Sequence, residues 1–272
     1  MKRDKISVWF RLLLCYLLVA FAQSVGMGIV APTLFGIDLS APSSLSNESR
    51  VLMLLVGILF ATIVIFLIRR FIDRKTVGSL GLLDERWCKS LLTGLGLGGF
   101  AQVVIFVLLL LFGGYRIDGY ACPISGMIVA LLMACLVAWL EELEFRAYTI
   151  ENMKIFGDWL PIAVSSMAFV IPHYHGRGFA NPTEYASIFI FGILAGLAYL
   201  KSGSIYLPLG FHVGFNFLSG ILFEGTIIEG EILLPGLQTE VLHWIAFGLS
   251  ILLLINTLKK AEVIQQNGAE GK

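Results

Sequence analysis

The chain has 272 residues, of which 57% are AVILMFWYC and 14% are Asp, Glu, Lys or Arg, and its mean hydropathy is +0.86. A soluble domain carries roughly 25% charged residues, so this composition excludes a soluble globular protein, a disordered chain and a secreted disulfide scaffold. Nineteen Lys and Arg balance nineteen Asp and Glu, and a net charge of zero gives no footing for a nucleic-acid partner.

A bilayer core needs about 20 apolar residues per helix. Eight stretches free of Asp, Glu, Lys and Arg meet or approach that length: 12–37, 51–68, 90–115, 119–140, 159–176, 185–200, 202–223 and 241–258. They predict an all-α polytopic membrane protein of about eight transmembrane helices. The helices form one bundle over residues 1–272 with an intramembrane cavity, followed by a short polar tail at 261–272.

At the N-terminus two readings compete. Met1–Arg11 is basic, Leu12–Val19 is apolar and Ala20-Phe21-Ala22 resembles a signal-peptidase site, so residues 1–22 have the outline of a cleaved signal. Apolar character continues through Val25, Met27 and Ile29–Val30, which favours a retained first span. Asn47-Glu48-Ser49 is an N-x-S sequon in the first connecting loop. In the third span, Gly94–Gly99 mimics a dinucleotide loop but lacks the strand that must precede one. Gly94-x-x-x-Gly98 therefore reads as a helix-packing face, as does Gly192-x-x-x-Gly196 in the sixth. Pro208 marks a kink or a late start of the seventh helix. The four cysteines (Cys15, Cys88, Cys122 and Cys135) are widely spaced and form no CxxC, so neither a disulfide framework nor a cysteine zinc site is expected.

Lys and Arg in the loops set the expected orientation. With both termini cytoplasmic, the inner segments hold 16 of them: Lys2, Arg3, Lys5, Arg11, Arg69, Arg70, Arg74, Lys75, Arg86, Lys89, Arg146, Lys154, Lys201, Lys259, Lys260 and Lys272. The outer loops hold three: Arg50, Arg116 and Arg177. The 224–240 loop has four Glu and no Lys or Arg, as suits an outer loop.

An ionisable group inside a span costs several kcal/mol unless paired or solvated, so each marks a candidate site. Three clusters stand out: Glu141-Glu142-Leu143-Glu144-Phe145-Arg146, Phe169 through His175, and Phe211 through Asn216. Glu142 and Arg146 are i,i+4 in the favourable order and neutralise one another. Glu141 points about 100° away and lacks that partner, which suits a base for water. His212 and Asn216 share one helix face, where they can bind water, polarise a carbonyl or ligate a metal.

Glu141-Glu142-x-x-x-Arg146, Phe169-x-x-x-His173 and His212-x-x-x-Asn216 together resemble the three signature motifs of the CPBP family, the CAAX proteases and bacteriocin-processing enzymes, also called Abi or Rce1-like. The resemblance covers the fourth to seventh helices, about residues 123–223, as a catalytic core. It implies an intramembrane endopeptidase acting on a membrane-associated, prenylated CAAX-like or leader-peptide substrate. In that scheme Glu141, helped by His173, activates water. His212 and Asn216 stabilise the oxyanion, and Glu142, Arg146 and Phe169 support them. Glu144 and His175 have no role in the scheme.

Glu141, His173 and His212 are the ligands available to a zinc ion, yet a metal-free glutamate mechanism fits equally, and no obligatory cofactor is expected. A proton- or cation-coupled transporter using the same residues is the rival reading, though no inverted repeat supports it. A non-catalytic bacteriocin-immunity protein is a third. The expected partners are the bilayer and a peptide or protein substrate, with oligomeric state open. Depth is a tension: Glu141 lies ~27 Å along a helix from one side and His173 ~21 Å from the other, at 1.5 Å per residue. Either the fourth helix continues past Arg146 towards Lys154, or the fifth breaks near Pro172.

Overall fold

The computed structural model describes residues 2–174, 182–234 and 236–270. His175 and Arg177 lie outside the described residues. Eight principal helices follow one another. Helix α1 (Lys2–Val25) continues through a π-helical turn (Gly26–Val30) and a short α-helical end (Ala31–Phe35), which stops at Gly36 with φ 64°. Helix α2 (Asn47–Leu67) starts behind Ser46, whose hydroxyl accepts the Ser49 N–H, and runs into a second π turn, Ile68–Ile72. Helix α3 spans Trp87–Leu111. Helix α4 begins as Ile124–Glu141, passes through a π segment at Glu142–Tyr148, and resumes as Thr149–Met153. Helices α5 (Trp159–His173), α6 (Pro182–Ser202), α7 (Tyr206–Leu222) and α8 (Gly236–Glu270) complete the bundle.

Six of these are long and apolar enough to cross a membrane, while α5 and α7 are apolar but shorter. Large apolar side chains such as Leu59, Leu92 and Ile171 are exposed on the outside of the bundle, as lipid contact requires. The chain is an all-α polytopic membrane protein, and each of the eight expected stretches holds one helix.

Several boundaries differ from expectation. The fourth helix starts at Ile124 because Tyr115–Tyr120 is a strand, β1. It pairs antiparallel with β2 (Ile228–Ile232), with Tyr115 opposite Ile232 and Tyr120 opposite Ile228. The two strands are far apart in sequence and rich in Gly, Asp and Glu, so no hairpin signal announced them. The eighth helix runs on through the polar tail as far as Glu270. Pro208 sits in the first turn of α7, where its missing N–H breaks no helical bond, so it marks a late start and not a kink. Arg146 is fully buried within α4 and belongs to no loop.

Backbone-to-backbone contact fixes α3 against α7. A Cβ added at Gly94 would sit 2.1 Å from the Leu207 carbonyl oxygen, and one at Gly98 would sit 1.9 Å from that of Phe211. Reciprocally, a Cβ at Gly210 would lie 2.0 Å from the Leu91 oxygen and one at Gly214 2.3 Å from that of Leu95. Gly94-x-x-x-Gly98 is thus the packing face expected, and its partner is Gly210-x-x-x-Gly214, the stretch that carries His212. Between α6 and α5 the approach is looser: a Cβ at Gly192 would lie 2.8 Å from Ser166 Cβ, and one at Gly196 would lie 3.2 Å from the Ile162 side chain.

A buried polar knot ties α4 to α2 beyond the site. Arg69 is fully buried, with Nη1 donating to Asp73 Oδ2 and to Asn152 Oδ1, both at 3.3 Å, and Nε donating to Ser79 Oγ at 3.0 Å. Asn152 in turn donates to the Tyr148 carbonyl at 2.9 Å.

The α3–α7 contact predicts a sharp contrast between neighbouring glycines. Gly98→Ala forces two backbones apart and should destabilise at or above the upper end of the ~1–3 kcal/mol typical of overpacking. Gly96 has open space where its Cβ would be, so Gly96→Ala should leave stability unchanged. Thermal unfolding of both variants in detergent measures the difference, and equal midpoints would contradict the contact.

Candidate active site

The π segment of α4 is the local origin of the site. All seven residues, Glu142–Tyr148, are buried. A π turn re-routes the i→i−4 ladder and leaves carbonyls in need of other donors. Here hydroxyls supply them: Thr149 donates to the Glu144 carbonyl at 2.9 Å and Ser165 of α5 to that of Phe145 at 2.6 Å. Tyr16 of α1 then donates to Thr149 Oγ1 at 2.6 Å. The acidic pair Glu141-Glu142 lies at the junction of α-helix and π segment, turned towards α7.

His212 stands between the two carboxylates. Its Nδ1 lies 2.8 Å from Glu142 Oε1 and its Nε2 lies 3.4 Å from Glu141 Oε2. Glu141 therefore does not stand alone, as helical geometry suggested. Adjacent acids diverge by about 100° around a helix, and a ring inserted into the gap reaches both. Glu142 is likewise more than a partner for Arg146: the same oxygen, Oε1, is 3.1 Å from Arg146 Nη1. Glu142 and Arg146 have no exposed side-chain surface. None of the three guanidinium nitrogens has an aligned hydrogen-bond partner. Instead the guanidinium lies over the Phe169 ring, 4.1 Å from its centroid, a cation–π contact that gains strength away from water.

Phe169 holds the floor of the site. Besides carrying Arg146, it presents its ring to His212 edge-on at 5.9 Å and stacks on Phe191 at 5.8 Å. Phe191 contacts His212 from another side at 4.9 Å. The imidazole is thereby fixed in orientation by two rings and two carboxylates.

His173 is set by its own helix. Nδ1 lies 2.8 Å from the Phe169 carbonyl oxygen. A carbonyl only accepts, so in the neutral ring Nδ1 carries the proton and Nε2 keeps its lone pair. Pro172 falls in the last turn of α5, and the helix ends at His173. The depth tension resolves through α4, which continues past Arg146 to Met153 and brings Glu141 level with the end of α5.

Glu141, His173, His212 and Asn216 line one cavity of about 400 Å³, together with Phe169 and Phe191. Among the described residues the Asn216 side-chain amide makes no hydrogen bond, so both its N–H groups are free for a ligand. Glu141 Oε2 is buried and has no aligned donor from the protein. Glu144 and Arg146 contribute no cavity wall. For a metal the fit is poor: among the described residues no three of His, Cys, Asp and Glu are grouped to hold one ion. Glu141, His173 and His212 line the same space without forming such a set, and His212 turns one nitrogen towards each glutamate.

The far wall of the cavity was not foreseen. Thr239, Glu240, His243 and Phe247 of α8 and Ser187 of α6 face it. Trp244 Nε1 donates to Ser187 Oγ at 2.8 Å, and the Ser187 hydroxyl donates to Glu240 Oε2. His243 faces the cavity with Nδ1 3.0 Å from the Thr239 carbonyl. The signal was the i,i+4 series Thr239, His243 and Phe247, which places three residues on one helix face.

Residues 123–218 match the family model described as type II CAAX prenyl endopeptidase Rce1-like. No curated protein matches the chain. The matched segment runs from the residue before α4 into the last turns of α7. By that match, with Glu141, His173, His212 and Asn216 all inside it, residues 123–218 belong to the Rce1-like family of CAAX-type intramembrane proteases.

Proposed function

We propose that the chain is an intramembrane endopeptidase that hydrolyses a peptide bond of a membrane-associated polypeptide by glutamate-activated water. One observation supports this most directly. A carboxylate without an aligned donor, an imidazole nitrogen with a free lone pair and an uncommitted amide, from three helices, face one cavity whose other walls mix aromatic rings with polar side chains.

Each group has a distinct task in this scheme. Glu141 takes a proton from water as the oxygen attacks the scissile carbonyl, and returns it to the departing amine. His173 accepts a hydrogen bond from the same water at Nε2 and orients it. Asn216 donates Nδ2–H to the oxyanion, where a fixed donor acts on the transition state more than on the ground state. His212 is the second donor through Nε2. With its Nδ1 proton committed to Glu142, that requires the imidazolium form. Glu142 and Arg146 position His212 from behind the cavity, and Phe169 does so from its wall. The donor set calls for no resident metal, and activity is expected to survive exhaustive chelation, checked by metal analysis of the active protein.

Two substitutions test the assignment. Glu141→Gln keeps the side-chain shape but cannot accept the proton, so hydrolysis should be lost while the thermal midpoint in detergent stays at the wild-type value. Asn216→Ala removes one oxyanion donor and should lower kcat by ~10²–10³ with KM little changed. Full activity of Glu141→Gln would remove the proposed base. Proton flux through proteoliposomes without peptide cleavage would turn the same residues into a transport path. Glu142→Gln separates positioning from chemistry: it should lower both stability and kcat, because it loosens Arg146 and His212 together.

A further inference from the structure

The cavity has a direction. Its outer lining comes from one end of the bundle: His173 in the last turn of α5, Glu184 and Ser187 early in α6, Ser219 late in α7, Ile232 of β2, and Glu240 early in α8. A second cavity of about 600 Å³ shares Val137, Asn216 and Ser219 with it, and reaches Asn47, Pro123, Glu224 and Thr226 at the same end. Neither cavity is lined by any residue of the 69–89, 154–158 or 201–205 connections at the other end. A polypeptide that reaches Asn216 through these spaces therefore arrives from the end that carries the β1–β2 ribbon.

Charge distinguishes the two ends. The end away from the cavities carries Arg11, Arg69, Arg70, Arg74, Lys75, Arg86, Lys89, Lys154 and Lys201. The cavity end carries only Arg50 and Arg116 among the described residues, against the acids Asp38, Glu48, Asp118, Glu184, Glu224, Glu229, Glu231 and Glu240. Taking Arg146 out of the loop count leaves this asymmetry intact. Lys and Arg beside short loops are retained on the cytoplasmic side.

We propose that the catalytic cavity opens to the extracytoplasmic side, so that its substrate is a polypeptide segment presented there, such as an exported or surface-anchored chain, and not the cytosolic tail of a protein. The term substrate rests on the peptidase reading above; the direction of opening does not. Among the described residues, the lining at this mouth carries the Glu240 carboxylate and no Lys or Arg. Like charge disfavours a free C-terminal carboxylate there and suits a neutral or basic segment.

The protein carries its own reporters. Cys122 is exposed at the cavity end just before α4, Cys88 is exposed at the opposite end in the first turn of α3, Cys135 is exposed on the apolar middle of α4, and Cys15 is buried. In a Cys135→Ser background, a membrane-impermeant maleimide applied to intact cells should label the Cys88→Ser variant, and should label Cys122→Ser only after permeabilisation. The reverse pattern overturns the proposal. Ser219→Cys, in the wall shared by both cavities and in a chain whose Cys88, Cys122 and Cys135 are replaced by serine, should be labelled from outside in intact cells; labelling only from the cytoplasmic side also overturns the proposal. Cleavage gives the second readout, using a short quenched fluorogenic peptide with two lysines. If the detergent-solubilised protein cleaves it, right-side-out vesicles should do so and sealed inside-out vesicles should not, and the opposite result overturns the proposal. If the solubilised protein cleaves no peptide, the peptidase reading fails, and the Ser219→Cys labelling alone decides on which side the cavity opens.

Discussion

A carboxylate sealed inside a membrane protein must be compensated where it stands, and Glu142 is compensated twice through one oxygen. Arg146 lies 3.1 Å away along the same helix and His212 lies 2.8 Å away on another. Removing one partner from a buried charged group costs about 3–5 kcal/mol, because the remaining charge is left without a counterpart. The three residues therefore stand or fall together, and the rest of the site inherits their geometry. Phe169 is placed by the guanidinium it carries, and Glu141 meets the nitrogen of His212 that Glu142 does not hold. The position of Glu142 is in turn secured from outside the site, by the π segment it opens and by the Arg69–Asn152 knot beyond.

The sequence made the helices legible because a span must be apolar along nearly its whole length, and a single Lys or Glu marks its end. Gly94-x-x-x-Gly98 was legible for a related reason: between helices in lipid, small residues are the means of close approach. Its partner was not, since Gly210 and Gly214 flank His212 and the functional motif drew attention first. The π segment at Glu142–Tyr148 has no composition of its own. It arises from tertiary demands, the hydroxyls of Thr149 and Ser165 and the insertion of His212, that no local pattern encodes. The strands failed to register because each is short and polar, and their pairing joins segments more than a hundred residues apart.

The same limits explain how the candidate site was read. Glu141, His173, His212 and Asn216 stood out because ionisable and amide groups are rare in spans, and the structure gathers them around one space. Helical-wheel reasoning treated α4 as a uniform helix and gave Glu141 and Glu142 separate surroundings. A single imidazole bridges both, which wheel geometry on one helix cannot show. Ser187 and Glu240 were passed over because they lie near helix ends, where polar residues are ordinary. Only the fold reveals that these ends turn inward.

Helix α5 has 15 residues, which at 1.5 Å per residue is ~22 Å against a hydrocarbon core of ~30 Å. Its outer side is in contact with lipid, since Trp159, Met167 and Ile171 are exposed. A short lipid-facing helix is matched by a thinner bilayer, at fractions of a kcal/mol per ångström. Thinning of that kind would fall beside His173, and in the mechanism proposed above it would bring headgroups and water closer to the reacting atoms than the middle of an unperturbed bilayer allows. A scissile bond would then need little partitioning into oil to be cut, and on that mechanism the lipid composition around the protein would be a variable of its chemistry.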